Sequence, residues 1–386
     1  MVIMARVLML VDNEYGVGTF WRAFNIAKEL ANQYGYDTTI MCLSRKRING
    51  IIRHRENNVE IMEIPRSGFA SIPIRVFYSI FSSYNIIHAF ATVKSSVGFS
   101  VIMARFLTNK CIIADWDDWW TRGGLMRYSR LVDYTHRFLE ERVPLLADAV
   151  IVVSDALFYR ALSLGVKKYK LFKVVNGSDP SAIPKIPKDE ARRVLGIPTD
   201  YLILTYTGLS IHSKEFFTFI KAFKDFVKSN KKALLLLMGT SPQVYNAYLT
   251  KLGLSNNVLT PGFVSRDKYL LYLIASDAFI LPADPVISEI ARFPIRLGDY
   301  LAVGRPIIAS DVGEVGRLIR ECNCGFVVKP GDVESWLMAL NKVSISEDLR
   351  NMLGSRARET AEAISWRNIA SQINFIYSRI CGKSLI

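Results

Sequence analysis

The 386-residue chain has no apolar run near the roughly 20 residues that a bilayer span needs. Its first stretch, MVIMARVLMLVD, is too short for a secretory leader and enters a strand-like run directly, so no signal peptide is expected. Cysteine is scarce: five residues, Cys42, Cys111, Cys322, Cys324 and Cys381, odd in number and scattered. Cys322 and Cys324 lack a second pair at zinc-ligand spacing, so no metal is expected there. Reduced thiols in a cytoplasmic protein are the expectation. Acidic residues are outnumbered, 35 Asp+Glu against 49 Lys+Arg, for a formal charge of +14. The excess is shared by both halves of the chain and is not gathered in an arm. That balance suits anionic ligands and anionic membrane surfaces. No basic stripe with interleaved aromatics is present, which argues against nucleic acid as a partner. Repeats and low-complexity tracts are also absent.

What is present is a hydrophobic content of 50%, enough for a folded chain, and length enough for two domains with full cores. Val7–Val11 reads as a buried strand, Asp12–Thr19 as a loop with Gly16 and Gly18, and Phe20–Ala31 as a helix. Strand, glycine loop and helix open a nucleotide-type α/β domain. A dinucleotide fingerprint would need a third glycine at Trp21, which argues against a nicotinamide or flavin site. The glycines still allow backbone amides to approach an anion, although a simple tight turn accounts for them too.

Tyr36–Leu43 is the next strand. The run SRKRINGIIRHR (44–55) reads either as a solvated loop or as a contact for phospholipid or a phosphate-bearing acceptor. Phe69–Tyr84, with Arg75 alone charged, reads as a core helix or as a helix lying at a membrane interface. Asn85–Phe90 is a strand with His88 near its end; such a histidine is more often packed than catalytic, and it could also line an acceptor site. The strand Cys111–Ala114 runs into Asp115-Trp116-Asp117-Asp118-Trp119-Trp120. Carboxylates there can bind metal, act as a base or hold sugar hydroxyls, and indoles pack against sugar rings. Acceptor or sugar binding, through Asp117 and Trp119, is favoured over a purely structural role and over metal binding. Leu145–Ser154 is a strand. Asn176-Gly177-Ser178 fits a glycosylation sequon, which is discounted without a secretory leader. Ser181–Lys188, with two prolines and no periodicity, marks the domain boundary.

The βα alternation then restarts. Leu202–Thr207 is a strand, Gly208–Lys214 a loop and Phe216–Lys228 a helix. Glycine after a strand and lysine at the next helix start make a phosphate site: open backbone, amide donors and a cation. Further on, FPIRLGDYLAVGRPIIASDVGEVG (293–316) reads as a helix carrying Arg296 and Asp299, stopped by Gly304, then a buried strand Ile307–Ala309 and a turn with Gly313. Ligands of open α/β sheets collect beyond the carboxyl ends of strands, so Arg296, Asp299 and Gly313 belong to one crevice.

The last stretch resembles the donor-site signature of retaining glycosyltransferases with the GT-B fold, most like glycosyltransferase family 4. Asp299 stands where the family has its second glutamate, and Ala291 where it has its first. The variant is closer to members reading P-x-K-L-x-E-Y-L-A-x-G-x-P, with Arg296 and Asp299 for the Lys and Glu. The similarity extends over nearly the whole chain, including ADAVIVVS (147–154) and V-x-N-G-x-D (174–179).

The resemblance implies an α/β GT-B fold of two Rossmann-like domains facing across a cleft. Residues 1–180 would bind the acceptor, with 365–386 crossing back onto them, and 181–364 the donor. It implies transfer of a sugar from a nucleoside-diphosphate sugar to an acceptor hydroxyl, with retention and without metal or other cofactor. A glycan or lipid-linked saccharide is the implied acceptor, and the inner face of the cell membrane the implied place.

In the family, Gly208 and Lys214 would hold the diphosphate. Leu209 replaces a common arginine, whose charge His212 or Arg296 would supply. Phe263 and Val264 fall in the base-contacting turn, and Glu289 lies two positions from the sugar-contacting glutamate. Gly16, Gly18 and His88 would line the acceptor side. Asp115 stands where a histidine often faces the reacting sugar, and so joins Lys214 and Arg296 as a catalytic candidate. A sugar-nucleotide epimerase of the same fold, or a non-catalytic protein binding anionic membranes, are the alternatives.

Overall fold

A computed structural model describes residues 5–125, 130–208, 213–239 and 249–382. The chain divides into two compact units: residues 1–177 with 290–295 and 366–386, and residues 178–289 with 296–365. Both are Rossmann-like α/β units of the GT-B kind.

The first unit is built on β1 (Arg6–Glu14), β2 (Asp37–Leu43), β3 (Ile52–Glu56), β4 (Val59–Ile64), β5 (Ile86–Phe90), β6 (Cys111–Trp116), β7 (Ala149–Val152) and β8 (Leu171–Lys173). Their order is β3-β4-β2-β1-β5-β6-β7-β8, and only β3 runs antiparallel to its neighbour. Val7–Val11 are all fully buried, as continuous apolar strands covered on both faces should be. Two expectations change here. β1 continues through Asp12–Glu14, which shortens the loop. Part of the basic run is strand β3, turned back by Asn57 and Asn58, both at positive φ. That pair is the signature of a two-residue hairpin, and an edge strand rich in arginine is guarded against further pairing.

The C-terminal helix Trp366–Cys381 belongs to this first unit and packs on the helix Phe20–Tyr34. Trp366, Ile369, Ile373, Ile376 and Tyr377 join the sheet core. Its last residue forms a disulfide with Cys111 at the start of β6, with Cα atoms 5.5 Å apart. The expected set of wholly reduced thiols is therefore corrected: Cys42, Cys322 and Cys324 alone are free. Both partners are buried and hidden among apolar residues, a pairing that scattered sequence positions could not announce.

The second unit carries β9 (Leu202–Thr207), β10 (Ala233–Met238), β11 (Val258–Gly262), β12 (Ala278–Leu281), β13 (Ile307–Ser310) and β14 (Gly325–Val328), all parallel, in the order β11-β10-β9-β12-β13-β14. The helix Lys214–Ser229 buries Phe216, Phe219, Phe223 and Phe226 on one face, against Trp336 and the sheet. Strand order reverses between β9 and β12, and the loops after those two strands diverge there. Such switch points are where α/β sheets bind ligands. No helix among the described residues is long and apolar enough to cross a membrane.

Candidate active site

In the second unit, the loop after β9 begins at Gly208, with φ of +153°. A Cβ there would collide with Nη1 of Arg296 and approach Oη of Tyr206 to 2.9 Å. Only glycine lets the guanidinium lie against this backbone. Arg296 comes from the helix Ile295–Val303 and stands 5.5 Å over the Tyr206 ring. Its Nε is buried without a hydrogen-bond partner, as is the Tyr206 hydroxyl. Buried donors without acceptors are rare and costly.

Tyr300 fixes this helix to the strand end: its hydroxyl accepts from Thr207 N at 2.8 Å and donates to Thr207 Oγ1 at 2.9 Å. Its ring stacks on Phe279 with centroids 4.1 Å apart, and burial pushes its phenol up to about 12.

Lys214 is exposed and is the first residue of its helix. The expected amide cradle at this helix start is corrected. Asp284, in the loop after β12, accepts from Lys214 N at 3.2 Å and Glu215 N at 2.7 Å, and the Ser213 hydroxyl accepts from Phe216 N at 3.0 Å. The cation stays available while those amides are taken. Glu215 is buried and structural, accepting from Trp336 Nε1 at 2.7 Å, Gly331 N at 2.7 Å and Ser310 Oγ at 3.2 Å.

Gly313 starts a helix, Gly313–Cys322, where a turn was expected. Its N-cap Val312 offers no side-chain cap. Asp299 accepts from Arg266 at 2.8 and 3.1 Å and from Tyr269 Oη at 3.1 Å. A carboxylate has about four acceptor sites, which leaves capacity for a hydroxyl. Phe263 is exposed beyond β11 with half-buried Val264 beside it, and Glu289 lies in the short helix Ile287–Ala291. His212 lies outside the described residues. Sequence reasoning missed Tyr206, Arg266, Tyr269 and Asp284, which act by supporting other residues and carry no motif of their own.

The first unit gives a different outcome. Asp115 is fully buried. It receives Arg22 Nε at 3.0 and 3.1 Å and Nη2 at 3.0 Å. Arg22 also donates to the carbonyls of Val174 and Val175 and to Asn176 Oδ1, each at 3.0 Å, which occupies its whole fork. Burial pushes the Asp115 carboxyl up, but Arg22 and His88 outweigh it and hold it below the usual carboxylate range. His88 is fully buried too, with Nδ1 2.7 Å from Tyr377 Oη and Nε2 3.3 Å from Asp115. Burial keeps its ring below the ordinary histidine value. Neither residue can meet a substrate: Asp115 as a catalytic group and His88 as an acceptor contact are corrected to parts of a core network. Asn176, the discounted sequon residue, is bonded at both ends of its amide, to Arg22 and to the Phe293 carbonyl.

Gly16 and Gly18 turn at φ of +72° and +58°. A Cβ on Gly18 would stand 2.7 Å from the Asn13 amide nitrogen, and Trp21 Nε1 closes the loop on Gly16 O at 2.9 Å. Asp117 accepts from Thr19 Oγ1 at 2.6 Å. Its other oxygen is buried without a partner, and burial pushes its carboxyl up. The indole N–H groups of Trp119 and Trp120 are likewise buried and unpaired. Arg160 lies 3.9 Å over Trp119, and Glu140 pins the loop through Trp120 N at 2.8 Å and Arg160 at 2.9 Å. Asp115, Asp117 and Asp118 point to separate partners (Arg22, Thr19 and Arg292), and no metal-ligand cluster occurs among the described residues.

Residues 187–360 match the family described as "Glycosyl transferases group 1". The sulfoquinovosyl transferase SQD2 of Arabidopsis thaliana is 23% identical over 234 residues, 59% of this chain and 44% of that protein. The chain spans about half the length of the curated relatives it matches. Among solved structures, sucrose-phosphate synthase from Thermosynechococcus elongatus aligns over 98% of this chain and 100% of its own, with TM-score 0.78 and 19% identity. Anabaena Alr3699/HepE in complex with UDP-glucose aligns over 97% and 99%, with TM-score 0.72 and 16% identity. At such identities the structures speak for the fold alone.

Proposed function

We propose, from the match of residues 187–360 to the glycosyl transferases group 1 family, that the protein transfers a sugar from a nucleoside-diphosphate sugar to an acceptor hydroxyl, with retention of configuration. The observation that carries the proposal is Arg296, held against Gly208 at the β9 end with a buried, unpaired Nε. A diphosphate oxygen is the natural acceptor for that donor. Lys214 adds a cation, and the helix that begins at Gly313 adds the positive end of its dipole.

The leaving diphosphate gains charge as its bond to the sugar's anomeric carbon breaks. Fixed cations and dipoles aimed at it lower the barrier without a metal. The acceptor oxygen bonds to the same face of that carbon, and its proton passes to the departing phosphate oxygen. Asp299 receives ribose hydroxyls, Phe263 and Val264 flank the base, and Glu289 contacts the donor sugar.

On the first unit, Asp117 and Trp119, each with a buried polar atom left unpaired beside the Gly16–Gly18 loop, are the candidates for one acceptor and one donor to a saccharide that reaches them. A glycan or lipid-linked saccharide suits that pair of groups. SQD2, a relative, carries the name of a sugar transferase, and HepE was solved with UDP-glucose; a uridine-diphosphate sugar is therefore the first donor to test. Proton NMR of the product's anomeric signal checks the stereochemistry. The donor's configuration is expected to be preserved, and inversion would overturn the mechanism.

A further inference from the structure

The helix Gly68–Phe81 is packed inside out. Ser71, Arg75 and Ser79 recur every fourth residue and form its buried face. Phe69, Phe77 and Phe81 lie on the opposite face and are exposed, to 98%, 57% and 73%. At about 100° per residue, an offset of two positions sets these stripes roughly 200° apart. An ordinary surface helix does the reverse. Arg75 fixes the rotation: its Nη2 donates to Val11 O at 2.5 Å and its Nη1 lies 3.8 Å from Asp12, both at the end of β1. Burial brings its guanidinium down to about 10, so it remains charged at neutral pH. Turning the helix to hide the phenylalanines would break that anchorage.

The next helix, Ser95–Leu107, packs against it and also exposes Phe99, Met103 and Phe106. The crossovers from β4 to β5 and from β5 to β6 advance in the same direction across the sheet. Right-handed crossovers therefore put both helices in one layer, and their apolar stripes form its outer surface. At the start of the inverted helix this surface turns basic. Arg45, Lys46, Arg47 and Arg66 line a cavity of about 560 Å³, together with Ser67 and Ala70. Arg66 is steadied by Glu14 at 3.1 Å and by the Ser44 carbonyl at 2.7 Å.

We propose that this face of the first unit docks on a bilayer containing anionic phospholipid. The phenylalanines enter the interfacial region and the basic cavity takes headgroup phosphates. Apolar rings beside a cluster of cations match that surface in both respects. A second copy of the chain would bring like charge to like, since each carries +14. The inference stands apart from the transferase reading, because vesicle binding needs no nucleotide sugar.

The test is sedimentation of the full chain with vesicles of phosphatidylglycerol and phosphatidylcholine, against vesicles of phosphatidylcholine alone. Binding is expected to the anionic vesicles only and to weaken as salt rises. The double variant Phe69→Ser/Phe77→Ser should bind about tenfold more weakly. Arg45→Gln/Arg47→Gln should lose about fivefold per cation removed. All four side chains are exposed, so both variants should melt with the parent protein. As an independent readout, Phe77→Trp fluorescence should shift to the blue on anionic vesicles. No binding to anionic vesicles, or parental binding by both double variants, would overturn the proposal. So would self-association that Phe69→Ser/Phe77→Ser abolishes in the absence of any vesicle binding.

Discussion

Gly208 has no room for a methyl group, because Arg296 and Tyr206 occupy the place where a Cβ would point. Gly208→Ala must push the guanidinium away from the strand end, and with it the charge proposed to meet the diphosphate. We expect turnover to fall about 100-fold, the usual scale for losing one fixed donor to developing charge. Stability should change by only about 1–2 kcal/mol, from the strained φ. Steady-state rates with a uridine-diphosphate sugar, read beside a thermal melt, separate the two. Arg296→Gln should give a loss of the same size, and unchanged turnover in both variants would remove Arg296 from the chemistry.

This pair was legible in the sequence because a glycine after a buried strand and a cation on a later helix converge by topology alone. Asp284 was not, since nothing in an acidic loop residue says that it will close a helix start 70 positions earlier. Asp115 was misread for a related reason. It stands at a strand end where the resembled family often has a histidine, among three carboxylates and three indoles. β6, however, runs on through Trp116, and the partners that neutralise Asp115 stand far off in sequence, at Arg22 and His88.

At the scale of elements, apolar content could be read from the sequence but orientation could not. The stretch around Phe69–Tyr84 was open between core and interface because both need an apolar helix. Arg75 reaches the end of β1 and turns the phenylalanines outward, against the core reading and as the proposed docking requires. The basic run held a hidden strand in the same way: charges on an edge strand mask its alternation, and the turn residues Asn57 and Asn58 were the better signal. The disulfide ties the last helix to β6 across 270 residues. Closing so long a loop constrains the unfolded chain, and a bridge of this kind contributes typically about 2–4 kcal/mol. The protein should therefore melt several degrees lower in reductant. Titration of thiols in denaturant without reductant should find three, whereas five would show that the bridge does not form.

Over the whole molecule, the first unit is completed by residues from the far end of the chain. Trp366, Ile369, Ala370, Ile373, Ile376, Tyr377 and Cys381 are all buried in it. Gly177 makes the return possible, since a Cβ there would stand 2.5 Å from the Trp366 indole. Where the chain leaves, Ser178 N donates to Ile364 O at 3.0 Å, so exit and return run side by side. Fully burying each large side chain contributes about 1.5–3 kcal/mol. Five such chains outweigh much of the roughly 5–15 kcal/mol that holds a typical domain together. Truncation after Ser365 also leaves His88 without Tyr377 and uncovers the flank of the helix Phe20–Tyr34 on which the last helix packs. The second unit keeps its own sheet, its Phe216–Trp336 core and every strand from β9 to β14. In the truncated chain, calorimetry should show one transition lost or moved well below the parent's. Limited proteolysis should leave a resistant fragment spanning most of 178–365. Survival of both transitions at parental temperatures would mean that the last helix decorates the first unit and does not complete it.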